Sequence, residues 1–228
     1  MKIFILILLI NIVSVVNAKI NRVYHPYVVP LEKELEYRSL YQETDGSSDM
    51  QILQLLGYGQ SINETLFLEF YIVSEQAENE SAEISAYEAE ALIQLTEQGE
   101  YWADYGLIFE LEKITAIDKW ELKSGILVEK EWGKWSTTLN FFTVYEFGED
   151  YENEWHTAAA FQWRYRYSQF IEPSLEVYSS EHGASIGPAL SGQIKFSQKK
   201  INWEFGLQLG IDSDAPDSYW RALVELEF

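Results

Sequence analysis

Along most of this chain, apolar and polar residues trade places at every second position. Leu66, Leu68, Phe70 and Ile72 share one parity, against Phe67, Glu69 and Tyr71. Tyr87, Ala89, Ala91, Ile93 and Leu95 oppose Glu88, Glu90, Gln94 and Thr96. Ala103, Tyr105, Leu107, Phe109 and Leu111 oppose Asp104, Gly106, Glu110 and Glu112. The same alternation runs through Trp135–Tyr145, Trp155–Tyr167 and Ile201–Leu209. A period of two belongs to a strand whose faces meet different media. Runs of about ten residues match tilted membrane strands and are long for a soluble sandwich. With weaker segments filled in, the pattern predicts an all-β chain of about twelve antiparallel strands. They fall near residues 33–43, 50–58, 64–74, 84–96, 101–112, 119–131, 135–147, 155–168, 171–178, 188–197, 201–211 and 219–228. Ten strands is the alternative, because the ninth and tenth segments contain Pro173 and Pro188, which cannot donate to a ladder. No linker or repeat divides residues 33–228, which read as one domain.

The last nine residues, WRALVELEF, set Trp220, Ala222, Val224, Leu226 and Phe228 against Arg221, Leu223, Glu225 and Glu227. This terminus resembles the C-terminal strand by which Gram-negative outer-membrane β-barrels are recognised for insertion. Val224, Leu226 and Phe228 would be its assembly signal. The resemblance is to the small porin-like barrels as a class and reaches no subfamily. It implies a single transmembrane β-barrel in the cell outer membrane, placed by the insertion machinery and surrounded by lipid and lipopolysaccharide.

The start of the chain fits export. MKIFILILLINIVSVVNA carries one charge, Lys2, then an apolar run and small residues before Ala18. That is the pattern of a signal peptide over 1–18, followed by a periplasmic leader over 19–32. The uncharged stretch is shorter than the roughly 20 apolar residues that a membrane helix needs. Cysteine is absent, which excludes disulfides, thiolate metal sites and a lipid-anchored cysteine. The net charge of −21 with only 16 Lys and Arg argues against nucleic acid as a partner.

With Phe228 at the periplasmic end, alternate connections sort into two sets. The set assigned outside is mostly long and acidic (43–49, 74–83, 148–154, 212–218). The set assigned inside is mostly short and includes Lys134, Lys199 and Lys200. This is the asymmetry expected of outer-membrane barrels. Tyr101, Trp120, Trp135, Trp155, Tyr167, Phe170, Trp203 and Trp220 fall near strand ends on the apolar parity, as interfacial girdles do.

The inward parity carries the charge, with carboxylates about three times as numerous as cations. Glu88, Glu90, Glu110, Glu112, Arg164, Arg166, Arg221 and Glu225 are the candidate lumen-lining residues. Glu110 and Glu112 are expected nearer the outer mouth than Glu90, with Arg164 and Arg166 able to reach across and neutralise the acidic wall. A wet acidic lumen favours cations; a narrow one would cross-pair its charges and plug itself. Enzyme chemistry has little to stand on. His25 lies in the leader, His182 in an acidic loop near Ser180 and Ser185, and His156 points inward without a serine at a suitable offset. Asp212, Asp214 and Asp217 lack the glycine and terminal glutamate of a calcium loop, and no cofactor is expected. In the leader, YHPYVVPLEKELEYR, Pro26 and Pro30 exclude an interior strand. The segment reads as a rigid entry into the first strand, or as a small plug or docking point for a periplasmic partner. Two functions remain: a porin-like channel with an acidic, cation-favouring lumen, and a closed structural barrel that binds a partner.

Overall fold

A computed structural model describes residues 21–43, 50–77, 80–149, 152–181, 183–196, 199–213 and 215–228. The signal peptide, His182 and Asp214 lie outside the described residues. Twelve strands follow in order: β1 (Lys33–Glu43), β2 (Met50–Ser61), β3 (Leu66–Gln76), β4 (Glu83–Gln94), β5 (Asp104–Ile114), β6 (Trp120–Trp132), β7 (Trp135–Phe147), β8 (Glu154–Tyr165), β9 (Glu172–Ser180), β10 (Gly183–Phe196), β11 (Lys199–Gly210) and β12 (Ser218–Glu227). Each pairs antiparallel with its sequence neighbours, and β1 closes on β12 with Tyr37 opposite Val224. The closed sheet has no edge, so its ladder satisfies its own backbone polar groups.

Closure gives the alternation its two media. On the outward parity Phe70 is 61% exposed, and Leu56, Ile72, Phe141, Trp155, Phe205 and Val224 are exposed with it. On the inward parity Glu36 and Arg221 are each 1% exposed. A soluble protein does not leave an apolar band of this extent uncovered, so the outer face is built for hydrocarbon. Aromatic residues gather at both rims. Near one rim the Trp135 ring stacks on Trp163 at 4.7 Å and touches Tyr165 at 4.6 Å. Near the other, Tyr145 stacks on Trp155 at 4.6 Å and Phe147 at 5.4 Å.

Three boundaries differ from the sequence reading. β10 begins at Gly183 and runs through Pro188, which faces outward opposite Leu175. The strand survives because Gly187 lets it approach β11 closely; a Cβ there would lie 1.8 Å from the Leu207 carbonyl oxygen. β8 ends at Tyr165, which leaves Arg166 in the connection to β9. β5 begins only at Asp104, so residues 95–103 form a long turn through Gly99 at φ 75°. Connections at the end bearing Lys33 and Phe228 are therefore not consistently the shorter ones, and the expected length asymmetry is weak.

The outward face predicts where charge is not tolerated. Phe205→Lys should cost about 2–4 kcal/mol of barrel stability if that face meets the bilayer midplane. The same change at Thr115, exposed in a connection, should be nearly neutral. Urea unfolding in lipid vesicles measures both, and equal costs would show that the outer face is not in lipid.

Candidate functional site

The interior is occupied by the chain's own leader. Val29, Pro30, Leu31 and Glu32 form a turn in which Glu32 N–H donates to the Val29 carbonyl at 3.3 Å. Leu31 holds φ 66° there, a strained value for a leucine, at the third turn position where glycine is usual. The turn reverses the chain, so residues 28 to 21 run back inside the barrel from the end where β1 starts.

Side chains of the wall fasten this segment. Gln94 accepts from Val28 N–H at 2.7 Å. Tyr27 donates to Asp104 at 2.8 Å. The Asn140 amide makes a two-point clasp on the Tyr24 backbone, accepting from its N–H at 2.8 Å and donating to its carbonyl at 2.9 Å. Gly106 leaves room for Pro26, whose Cβ would stand 2.9 Å from a Cβ added to the glycine. Val23 and Tyr24 then complete an apolar cluster with Ile108, Leu127, Phe142, Ala160 and Tyr178. A second cluster of Leu40, Leu55, Tyr71, Val73, Ala86, Ile114 and Tyr219 fills further inward positions.

Charges close the remaining space in pairs. Arg22 donates to Glu36 at 2.7 Å. Arg38 bonds Glu36 at 2.6 Å and Asn21 at 3.2 Å. Arg221 holds Glu176 through both carboxylate oxygens at 3.1 Å, Tyr178 at 2.6 Å and the Asn21 carbonyl at 2.5 Å. His25 Nδ1 lies 2.5 Å from Glu129, a carboxylate also held by Ser136 and Thr138. Between the leader and the wall, near the Lys33 end, a cavity of about 390 Å³ remains, bordered by Arg22, His25, Glu34, Glu69, Glu90 and Arg164.

The carboxylates expected to share a stretch of wall stand in register. Glu69, Glu90, Glu110 and Lys123 face one another across β3 to β6. Glu88, Glu112, Glu121 and Glu146 do so across β4 to β7. Glu110 is thus directly opposite Glu90 and no nearer a mouth, contrary to the sequence expectation, because cross-strand pairing decides height. Arg164 pairs with Glu129 and Glu172, each at 3.5 Å. Arg166 bonds Glu131 at 2.8 Å and the Gly133 carbonyl at 2.9 Å. Neither reaches the Glu88–Glu112 stretch, since both sit toward the Lys33 rim. Glu225 accepts from Asn202 at 2.5 Å and lies 3.7 Å from Arg22. Val224, Leu226 and Phe228 fall on the outward parity, and Phe228 N–H donates to the Lys33 carbonyl at 2.9 Å. Both ring nitrogens of His156 face carboxylates, those of Glu146, Glu154 and Glu181.

Sequence reasoning missed the Asn140 clasp, the buried Lys119–Glu146 pair at 2.8 Å and the filled lumen. A signal existed. Phe67, Tyr71, Ile108, Leu127, Phe142 and Leu223 are apolar residues at inward positions, which a wet channel does not need.

No family model and no curated protein matches the chain, whereas solved structures do. A KdgM porin, solved in complex with disordered oligogalacturonate, is 11% identical; the match covers 86% of this chain and 98% of that one, with a TM-score of 0.56. An outer-membrane channel from Pseudomonas putida F1 is 11% identical over 89% and 96% of the two chains, with a TM-score of 0.59. The translocator domain of autotransporter NalP from Neisseria meningitidis is 9% identical over 88% of each chain, with a TM-score of 0.53. The shared property is the fold: a closed antiparallel barrel of the outer-membrane type.

Removing the clasp should loosen the leader. Asn140→Ala leaves a buried N–H and carbonyl unpaired, at a cost of about 1–3 kcal/mol. Hydrogen exchange at Tyr24 should rise accordingly, and unchanged protection would show that the clasp does not hold the leader. At the turn, burial and then the facing Glu227 push the Glu32 carboxyl up to about 8. A raised carboxyl stabilises the docked form below its ordinary value and loses that contribution as pH rises through 8. Leader exchange should therefore quicken above about pH 8, and Glu32→Gln should remove that step.

Proposed function

We propose that the chain is a porin-like channel of the outer membrane, with an acidic, cation-favouring lumen that its own leader closes in this conformation. The observation that carries the reading is the pair of carboxylate rows across β3 to β7, which exceed the lysines and arginines that face them. Like charges placed directly opposite destabilise a sheet, so a purely structural wall has no use for such rows. A wall of this sign attracts cations and repels anions. The apolar outer face and the likeness to porin folds support placement in the outer membrane, with Phe228, Leu226 and Val224 as the assembly signal. Surrounding lipid and lipopolysaccharide, and the insertion machinery, are the partners this reading calls for.

The leader is the stopper in this account. It is held by side-chain hydrogen bonds and ion pairs, not by a strand ladder, so it can leave without breaking the barrel. A second reading, the closed structural barrel, draws on the packing of Val23 and Tyr24 into the apolar cluster. There the leader is core and stays in place, and a periplasmic partner would meet the exposed turn at Val29–Leu31.

Planar-bilayer recording of the full chain and of a variant lacking residues 19–30 separates the two. The channel reading expects small or intermittent current from the parent and larger, cation-selective current from the variant. Glu90→Gln with Glu110→Gln should then shift the reversal potential toward zero. Silence from both proteins, with folding verified by heat-modifiable gel mobility, would make the closed barrel the better account.

A further inference from the structure

Three groups in the lumen bring ligand atoms of acidic or histidine side chains within 4.8 Å of one another. Two of them contain their own cations. Glu34, Glu36 and Glu69 sit beside Arg22 and Arg38, which bond Glu36 at 2.7 and 2.6 Å. Glu146, Glu154 and His156 include Lys119, at 2.8 Å from Glu146.

The third group is different. Glu88, Glu110 and Glu112 converge on the wall between β4 and β5. Lys123 is ion-paired with Glu110, and no other ion pair to the group occurs among the described residues. Two further carboxylates flank it: Glu90 directly opposite Glu110, and Glu121 directly opposite Glu112. Glu90 and Glu121 are each 4% exposed. Oε2 of Glu90 and Oε1 of Glu121 are buried with no hydrogen-bond partner. Residues opposite one another on one sheet face have Cβ atoms about 5 Å apart, so both flanking side chains are aimed into the group. Five carboxylates thus face one ammonium where little water can screen them. Buried carboxylate charge is stable only when paired or bound to a metal.

We propose that Glu88, Glu110 and Glu112, flanked by Glu90 and Glu121, bind a divalent cation of the calcium type. The donors are all carboxylate oxygens, the set that hard cations select; thiolates are absent and imidazole is not among them. Calcium accepts six to eight oxygens in irregular arrangements and takes carboxylates singly or through both oxygens, whereas magnesium demands a near-octahedral shell and keeps its waters. The rows supply many oxygens at positions decided by strand register, which suits the tolerant ion. The site goes beyond the channel reading and stands whether or not the barrel conducts, since a cation held here would neutralise the wall in either case.

Calorimetric titration of the full chain, folded in detergent and stripped with EDTA, tests the site with calcium chloride. The expected result is one saturable calcium per barrel and a higher unfolding temperature when it is bound. Glu88→Gln with Glu112→Gln should weaken binding at least about tenfold, because affinity follows ligand charge. Glu80→Gln, in an exposed connection, should leave it unchanged. In EDTA the double variant should unfold no lower than the parent, since the repulsion it removes is then unrelieved in the parent. If the double variant fails to fold, Glu88→Gln alone carries the comparison, as its side chain is only half-buried. No saturable binding by the parent at millimolar calcium would overturn the proposal and assign the wall to shared protons. Binding that survives in the folded variants would overturn it as well and place the ion on the acidic connections.

Discussion

A closed sheet with an apolar outer face leaves its polar side chains one place to go. Each strand of this barrel turns alternate residues outward, and those are Leu, Phe, Tyr, Trp and Val through the middle of the wall. The remaining half, with most of the strand carboxylates, enters a lumen enclosed by twelve strands. Everything inside follows from that confinement. Charges buried among backbone and side chains must be paired, hydrogen-bonded or bound to ions. Arg221 shows the solution at its densest, with Glu176, Glu204, Tyr178 and the Asn21 carbonyl around one guanidinium.

The leader belongs to the same solution. Its Arg22 and His25 bring cationic or protonatable groups to Glu36 and Glu129, and its backbone is satisfied by Gln94 and Asn140. The barrel wall alone would leave these acids facing a cavity. The segment therefore acts as counter-ion and core at once. That dual part is why closure by the leader and conduction through the lumen are compatible states of one molecule: polar fastenings exchange with water far more readily than strand ladders do. The small cavity beside Arg22 and His25 lies where such an exchange would begin.

The acidic rows of β3 to β7 are the part of the lumen that internal pairing does not complete. Around β1, β9 and β12, arginines meet carboxylates at hydrogen-bonding distance. Across β4 and β5, glutamates meet glutamates. The contrast within one barrel, built by one alternation rule, separates charge that is structural from charge that has some other use.

The alternating pattern, twelve strands, the inward parity of Glu88, Glu90, Glu110, Glu112, Arg164 and Arg221, and the outward parity of Phe228 were all legible in the sequence. Each rests on a period of two, which is written locally and needs no knowledge of distant contacts. Pro188 misled because a proline usually ends a strand; the tolerance comes from Gly187 meeting Leu207, on another strand. The relative heights of Glu90 and Glu110 needed the register, which two strands decide together. The leader's place was further out of reach. Its clasp joins Tyr24 to Asn140, 116 positions away, and Asn21 to Arg221, 200 positions away. So the sequence by itself determined which side of the wall each residue faces. The tertiary structure alone decided what fills the space inside, because packing in a lumen is settled by residues that meet only once the sheet has closed.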